Sequence, residues 1–247
     1  MAHYSRAPIK EAIFDVRVSG DPISVWKMDS GLHALQERYP NREEIIGGLP
    51  FDLPMNRTAS PSFNMGSSLI GVRYVSSDHN KTVQARTDGF SLNSLAPYTT
   101  WEDFVSEARQ GFEAYVKVRQ PQVVTRLGLR YVNQFNWTSQ QGEVITLGDF
   151  FALSPTWNHA SLGNAEGFNL QLAFSYPEIE ATLLLTQATI ASEDEPGLSL
   201  DIDVFCEGLR LDTSDSQELW RRAEQLRDLK NKVFEACLKD PARELIQ

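Results

Sequence analysis

The chain has 247 residues, of which 41% are hydrophobic, 23% charged and 10% aromatic, enough to bury one large core or two small ones and too apolar for a disordered protein. Its 23 basic and 33 acidic residues leave a formal net charge of −10, and without a basic stripe to displace phosphate counterions, nucleic-acid binding by the surface at large is not expected. The longest apolar runs, such as Leu183-Leu184-Leu185, are far shorter than a membrane span, and residues 1–10 are polar where a secretory signal would be apolar. A cytoplasmic protein with no membrane partner is therefore expected, with Cys206 and Cys237 as reduced thiols.

Residues 9–18 open the chain with Phe14, Val16 and Val18 alternating with Asp15 and Arg17, the period of a half-buried strand. Gly20-Asp21-Pro22 breaks it, and Trp26, Leu32, Leu35 and Tyr39 then stand near helical spacing, predicting a helix over 25–39 that ends at Pro40. Residues 47–62 are rich in Gly and Pro and read as a loop. Strands are predicted over 68–75, 82–87 and 90–92, with Asp88-Gly89 as a hairpin turn between the last two. Thr100 and Asp103 form a capping-box pattern, and behind them Phe104, Ala108, Phe112 and Tyr115 mark one face of a helix that ends before Pro121.

A strand over 124–133 follows, then a short helix over 148–153 and a loop over 154–167. Strands over 168–174, 181–190 and 198–206 lead to a helix capped by Asp215 and Glu218, with Leu219, Ala223, Leu226, Val233 and Cys237 on its apolar face. The order is β-α-βββ-α twice, with residues 1–121 as one half and 122–247 as the other. Shifts of 115 (Ile9 to Val124) and 119 (Trp101 to Trp220) align them. An internal duplication accounts for this most simply. The predicted fold class is α+β: an antiparallel sheet with helices packed on one face, forming one structural unit.

The common catalytic signatures are absent. The sequence contains no phosphate-cradling glycine motif and no GxSxG elbow, and Gly66-Ser67-Ser68 reads as a turn into a strand. His3, His33, His79 and His159 stand apart without metal-ligand spacing. Cys206 and Cys237 both fall on apolar faces, as core cysteines do. Residues 178–218 hold eleven acidic residues and one basic residue, Arg210, a charge bias that supports solubility and could attract a basic partner.

The charges opposite the core are the informative feature. Alternation places Glu11, Asp15 and Arg17 on one face of the first strand, Arg126 and Arg130 on that of the fifth, and Asp201 and Asp203 on that of the last. Asn169 and Gln171 add neutral polar groups, while Glu178 and Glu180 border a strand start. Such a face can bind a peptide or protein with its arginines as bidentate anchors. It can also hold a phosphorylated ligand on Arg126 and Arg130, with magnesium on Asp201, Asp203 and Glu180. The plain alternative is a solvated face of cross-strand ion pairs. Glu178-Ile179-Glu180 is weakly similar to the signature of triphosphate-tunnel enzymes, but Thr182 stands where those carry Lys.

The segments PIKEAIFDVRV, VTRLGLRYVNQF, LDIDVF and LRDLKNKVFEACL, in this order and together with DGFSLNSLAPYTTWEDF, resemble a sporadically distributed bacterial family of uncharacterised proteins of about this length. The resemblance covers nearly the whole chain and implies a scattered bacterial gene, akin in its distribution to defence and toxin–antitoxin cargo. It implies no catalytic residues. The combined expectation is a non-enzymatic binding module with no cofactor, using the polar sheet face or the acidic 178–218 stretch to hold a protein partner. A homodimer is compatible with it. The alternatives are a metal-dependent enzyme on a phosphorylated small molecule, or a small-molecule binder with an apolar pocket between helices and sheet.

Overall fold

Strand β1 (Ile9–Ser19) shows the alternation in full: Ala12, Phe14, Val16 and Val18 are buried, and the residues between them are not. The computed structural model describes residues 4, 6–47, 68–136, 147–155, 167–190, 197–213 and 216–247. After β1 come helices α1 (Val25–Gly31) and α2 (His33–Arg38), and strands β2 (Asn41–Gly47), β3 (Ser68–Val75), β4 (Lys81–Arg86) and β5 (Gly89–Leu95). Helix α3 (Trp101–Arg119) leads to β6 (Val123–Asn136), α4 (Leu147–Phe150), β7 (Asn169–Tyr176), β8 (Ala181–Ile190) and β9 (Gly197–Asp212). The chain closes with α5 (Ser216–Cys237) and α6 (Asp240–Glu244).

All nine strands form one antiparallel sheet in the order β2-β3-β4-β5-β1-β6-β9-β8-β7. Among the described residues it ends in two edges, β2 and β7, and these do not pair with each other. The α+β class is as expected. No helix among the described residues is long and apolar enough to cross a membrane.

The described helices pack on one face. Phe14, Leu92, Leu129 and Val204 project there in one row across β5, β1, β6 and β9, all fully buried. Helices α3 and α5 cover them with Phe104, Ala108, Phe112, Tyr115, Leu219, Ala223 and Leu226. Phe14 stacks on Trp220 with ring centroids 5.2 Å apart. The two helices grip each other through their tryptophans: the guanidinium of Arg227 lies 5.3 Å from the Trp101 ring and that of Arg109 lies 4.9 Å from the Trp220 ring. The Trp101 indole also donates to Glu224 at 2.7 Å. Cys206 and Cys237 are buried thiols in this core, and burial raises the pKa of both, that of Cys237 to about 11.

Several local expectations change. The 25–39 helix is two short helices, broken at Leu32 (φ −95, ψ 36). A Cβ on Gly31 would stand 2.7 Å from Val118, so glycine lets this break seat against α3. Strand β2 has no predicted counterpart: it is an exposed edge whose polar NREE run shows no apolar alternation, held by pairing with β3 and by an Arg42–Asp29 ion pair at 2.9 Å. The hairpin turn is Thr87-Asp88, with Gly89 already paired to Arg86. The short helix spans Leu147–Phe150 rather than 148–153. Most of the 47–62 and 154–167 loops, Gly66-Ser67, Asp215, His3 and His159 lie outside the described residues.

Candidate functional site

Opposite the helices, the middle of the sheet carries a charged recess of about 420 Å³ lined by Asp15, Arg17, Arg126, Arg130, Asp203 and Glu207, with Ile13 and Gly128 between them. Strands β1, β6 and β9 are adjacent, so Glu11, Asp15, Arg17, Arg126, Arg130, Asp201 and Asp203 share this face, as the alternation predicts. Five of the seven line the recess; Glu11 and Asp201 stand beside it.

Asp15 organises the cluster. It sits across from Gly128 and accepts 2.8 Å hydrogen bonds from both Arg126 and Arg86, with Arg17 at 3.4 Å. A Cβ on Gly128 would fall 2.9 Å from the Arg126 guanidinium, so glycine makes the room in which that side chain lies over the strand. The same guanidinium lies 4.6 Å from the Phe205 ring and 3.5 Å from Glu207. Arg130 grips Asp201 through both Nε and Nη2, a bidentate pair, and that partner raises the already high pKa of Arg130. Glu11 accepts from Asn93 at 2.7 Å.

Arg86 belongs to this cluster and was not among the sequence candidates. Its side chain is nearly buried, and its Nε makes no hydrogen bond among the described residues, only a 3.6 Å approach to Asp88. The signal was present: in β4 Val83 and Ala85 face the core, which puts Gln84 and Arg86 on the charged face. Gly128 was also missed, and only the tertiary arrangement shows its use.

Glu178 and Glu180 do not join the face. Glu178 lies in a single 3-10 turn, Pro177–Ile179, and Glu180 (φ +52) turns toward α5, pairing with Arg222 at 2.9 Å. A magnesium site built from Asp201, Asp203 and Glu180 is therefore not assembled. Among the described residues no three His, Cys, Asp or Glu side chains group closely enough to hold a metal ion. Asn169 and Gln171 do share the charged face, but on edge strand β7, where Gln171 donates to Thr186.

Asp203 has the least favourable position. Burial raises its pKa, outweighing Arg126 at 3.9 Å and Arg130. A carboxyl that holds its proton more tightly folded than unfolded loses stability as pH rises through that window, so the ionised form is a net cost at neutral pH. Asp203→Asn is expected to raise Tm at pH 7, with the difference from wild type closing at about pH 3, where both states are protonated. Thermal melts at the two pH values check this, and a lower Tm for the variant at pH 7 contradicts it.

The cluster is close to neutral, with each arginine already facing a carboxylate; Asp15–Arg126 and Arg130–Asp201 are diagonal pairs of neighbouring strands, while Asp15–Arg86 reaches across β5. No family model, curated protein or solved structure matches the chain.

Proposed function

We propose that the chain is a non-enzymatic binding module that docks a protein partner on the face of its sheet on which no described helix packs, centred on the Asp15–Arg126 recess. The observation that carries this reading is a mixed-charge depression in the middle of a sheet face on which no described helix packs. A polypeptide brings groups of both signs and hydrogen-bonding main chain, and can trade partners with these pairs. A phosphorylated ligand brings only negative charge and would have to displace Asp15 and Asp201 from the arginines they already neutralise. The acidic partner-attracting stretch predicted over 178–218 does not act as one surface in this reading, since Asp201 and Asp203 serve the charged face while Glu180 serves α5.

A duplicated ancestry fits the same reading. The 115-residue shift relates Phe14 to Leu129, which are also register partners at the β1–β6 seam, and the reciprocal Trp–Arg stacking of α3 and α5 is what two related halves would make. The recess then straddles the junction of the halves. Membership of the sporadically distributed bacterial family, and a cytoplasmic location, are part of this proposal; so is a second copy of the chain as one partner that the surface could take.

Arg130 is the residue to test, because it is half-exposed and its loss leaves only Asp201 without a partner. Arg130→Ala is expected to weaken partner capture at least about tenfold while leaving the fold intact. Capture from extracts of the cells that make the protein, quantified for wild type, Arg130→Ala and the exposed helix-face variant Lys117→Ala, reads this out. A stoichiometric partner lost only in Arg130→Ala supports the docking face. A partner retained equally by all three, or none retained by any, overturns it.

A further inference from the structure

On the helix side, away from the charged recess, a second cavity of about 300 Å³ lies among the start of β1, the beginning of α3 and the middle of α5. Its walls are largely apolar, from Pro8, Ile9, Tyr98, Trp101 and Phe234, and Lys230 projects from α5 into it. The Lys230 nitrogen sits 3.9 Å from the centroid of the Tyr131 ring, and it has no hydrogen-bond or ion-pair partner among the described residues. That ring is fully buried, and its hydroxyl stands 3.1 Å from that of Tyr98, another wall residue.

The charges around the amine are committed elsewhere. Arg227, one turn earlier on α5, pairs with Glu224 at 3.3 Å and Glu102 of α3 at 3.7 Å. Glu235 accepts from the Tyr4 hydroxyl at 3.0 Å and faces Arg243 at 3.5 Å. Asn133 of β6 donates to main-chain carbonyls. No carboxylate is therefore held against Lys230 to keep it an ammonium, and the charged form gains only the cation–π attraction of the Tyr131 ring face. Enclosure, helped by Arg227, lowers the pKa of this amine to about 7. Tyr98 and Tyr131 keep their protons, their pKa values raised by burial, that of Tyr98 to about 12.

We infer that this cavity is a binding site for a small, mainly apolar aldehyde or ketone, with Lys230 as the nucleophile that condenses with it. The neutral amine adds its lone pair to the carbonyl carbon, and the carbonyl π pair moves to oxygen, which takes up a proton. The resulting carbinolamine loses water and one nitrogen-bound proton, so one carbonyl compound and one amine give one imine and one water. The hydroxyl of Tyr98, the wall residue bonded to that of Tyr131, supplies and recovers the proton. The volume is at the lower end for ligand sites, which limits the compound to roughly the size of a single substituted ring.

The test uses the intact protein with benzaldehyde as probe and cyanoborohydride to reduce any imine to a stable amine, followed by peptide mapping. The chain has seven lysines. At pH 7 the Lys230 peptide is expected to be modified at least about tenfold faster than any other lysine peptide, since an ordinary lysine is almost wholly protonated there. Its rate should rise with a midpoint near pH 7. Lys230→Arg, which keeps much of the length but carries no nucleophilic amine, should remove that product without changing the others. Equal modification of all seven lysines, or protection of Lys230 relative to the rest, overturns the inference. The wild-type map alone decides this, even if the variant fails to fold. Because the cavity is on the opposite side of the sheet from the Asp15 recess, its failure would leave the docking reading untouched.

Discussion

Replacing Phe14 by alanine is expected to lower the unfolding free energy by about 3–5 kcal/mol. The ring is fully buried at the centre of the sheet, between Leu92 on β5 and Leu129 on β6, and it stacks on Trp220 of α5 at 5.2 Å. Truncation removes the transfer free energy of the ring, leaves a cavity under a helix that other contacts hold in place, and deletes an aromatic pair. Urea unfolding should show a lower midpoint with an unchanged slope. Phe174→Ala is the matched control: the same chemistry on edge strand β7, where the side chain is 40% exposed, should cost less than about 1 kcal/mol. If the two variants lose equal stability, the sheet centre is not where the core energy resides.

The neighbouring residue, facing the other way, gives the second large effect. Asp15→Asn is expected to cost about 3 kcal/mol, because it leaves the nearly buried Arg86 and the partly buried Arg126 without the carboxylate that compensates both. Arg86 feels this most, since its remaining polar contacts are Gln84 at 3.3 Å and Asp88 at 3.6 Å. Removing the stranded charge should recover part of the loss, so the double variant Asp15→Asn with Arg86→Met is expected to be more stable than Asp15→Asn alone. A double-mutant cycle by urea unfolding measures this. A single-variant cost below about 1 kcal/mol would class the cluster with ordinary solvated surface pairs, which contribute little.

These two positions also mark how far the sequence could be read. Phe14 and Asp15 were assigned to opposite faces by alternation alone, and the same period placed Arg126, Arg130, Asp201 and Asp203 correctly, because a strand's side-chain direction follows from residue parity. The helix faces of α3 and α5 were legible for the equivalent reason at helical period. Strand β2 was not legible, since an exposed edge has no buried face to impose a pattern and its existence depends on the hydrogen bonds β3 offers. Glu180 was misplaced because a residue at a strand start in left-handed conformation no longer obeys the strand's parity.

The sequence by itself determined the elements with a buried face, the side to which each strand's charges point, the core placement of both cysteines and the α+β class. Only the tertiary structure decided which strands are neighbours, and so that Asp15 would meet Arg86 from β4 as well as Arg126 from β6. It alone decided that Lys230 would come to rest on Tyr131, a residue 99 positions away in the chain. The physical reason is range. Periodic burial is a property of adjacent residues and is written locally, whereas strand order, desolvation and the partners of a charge depend on segments brought together only by folding.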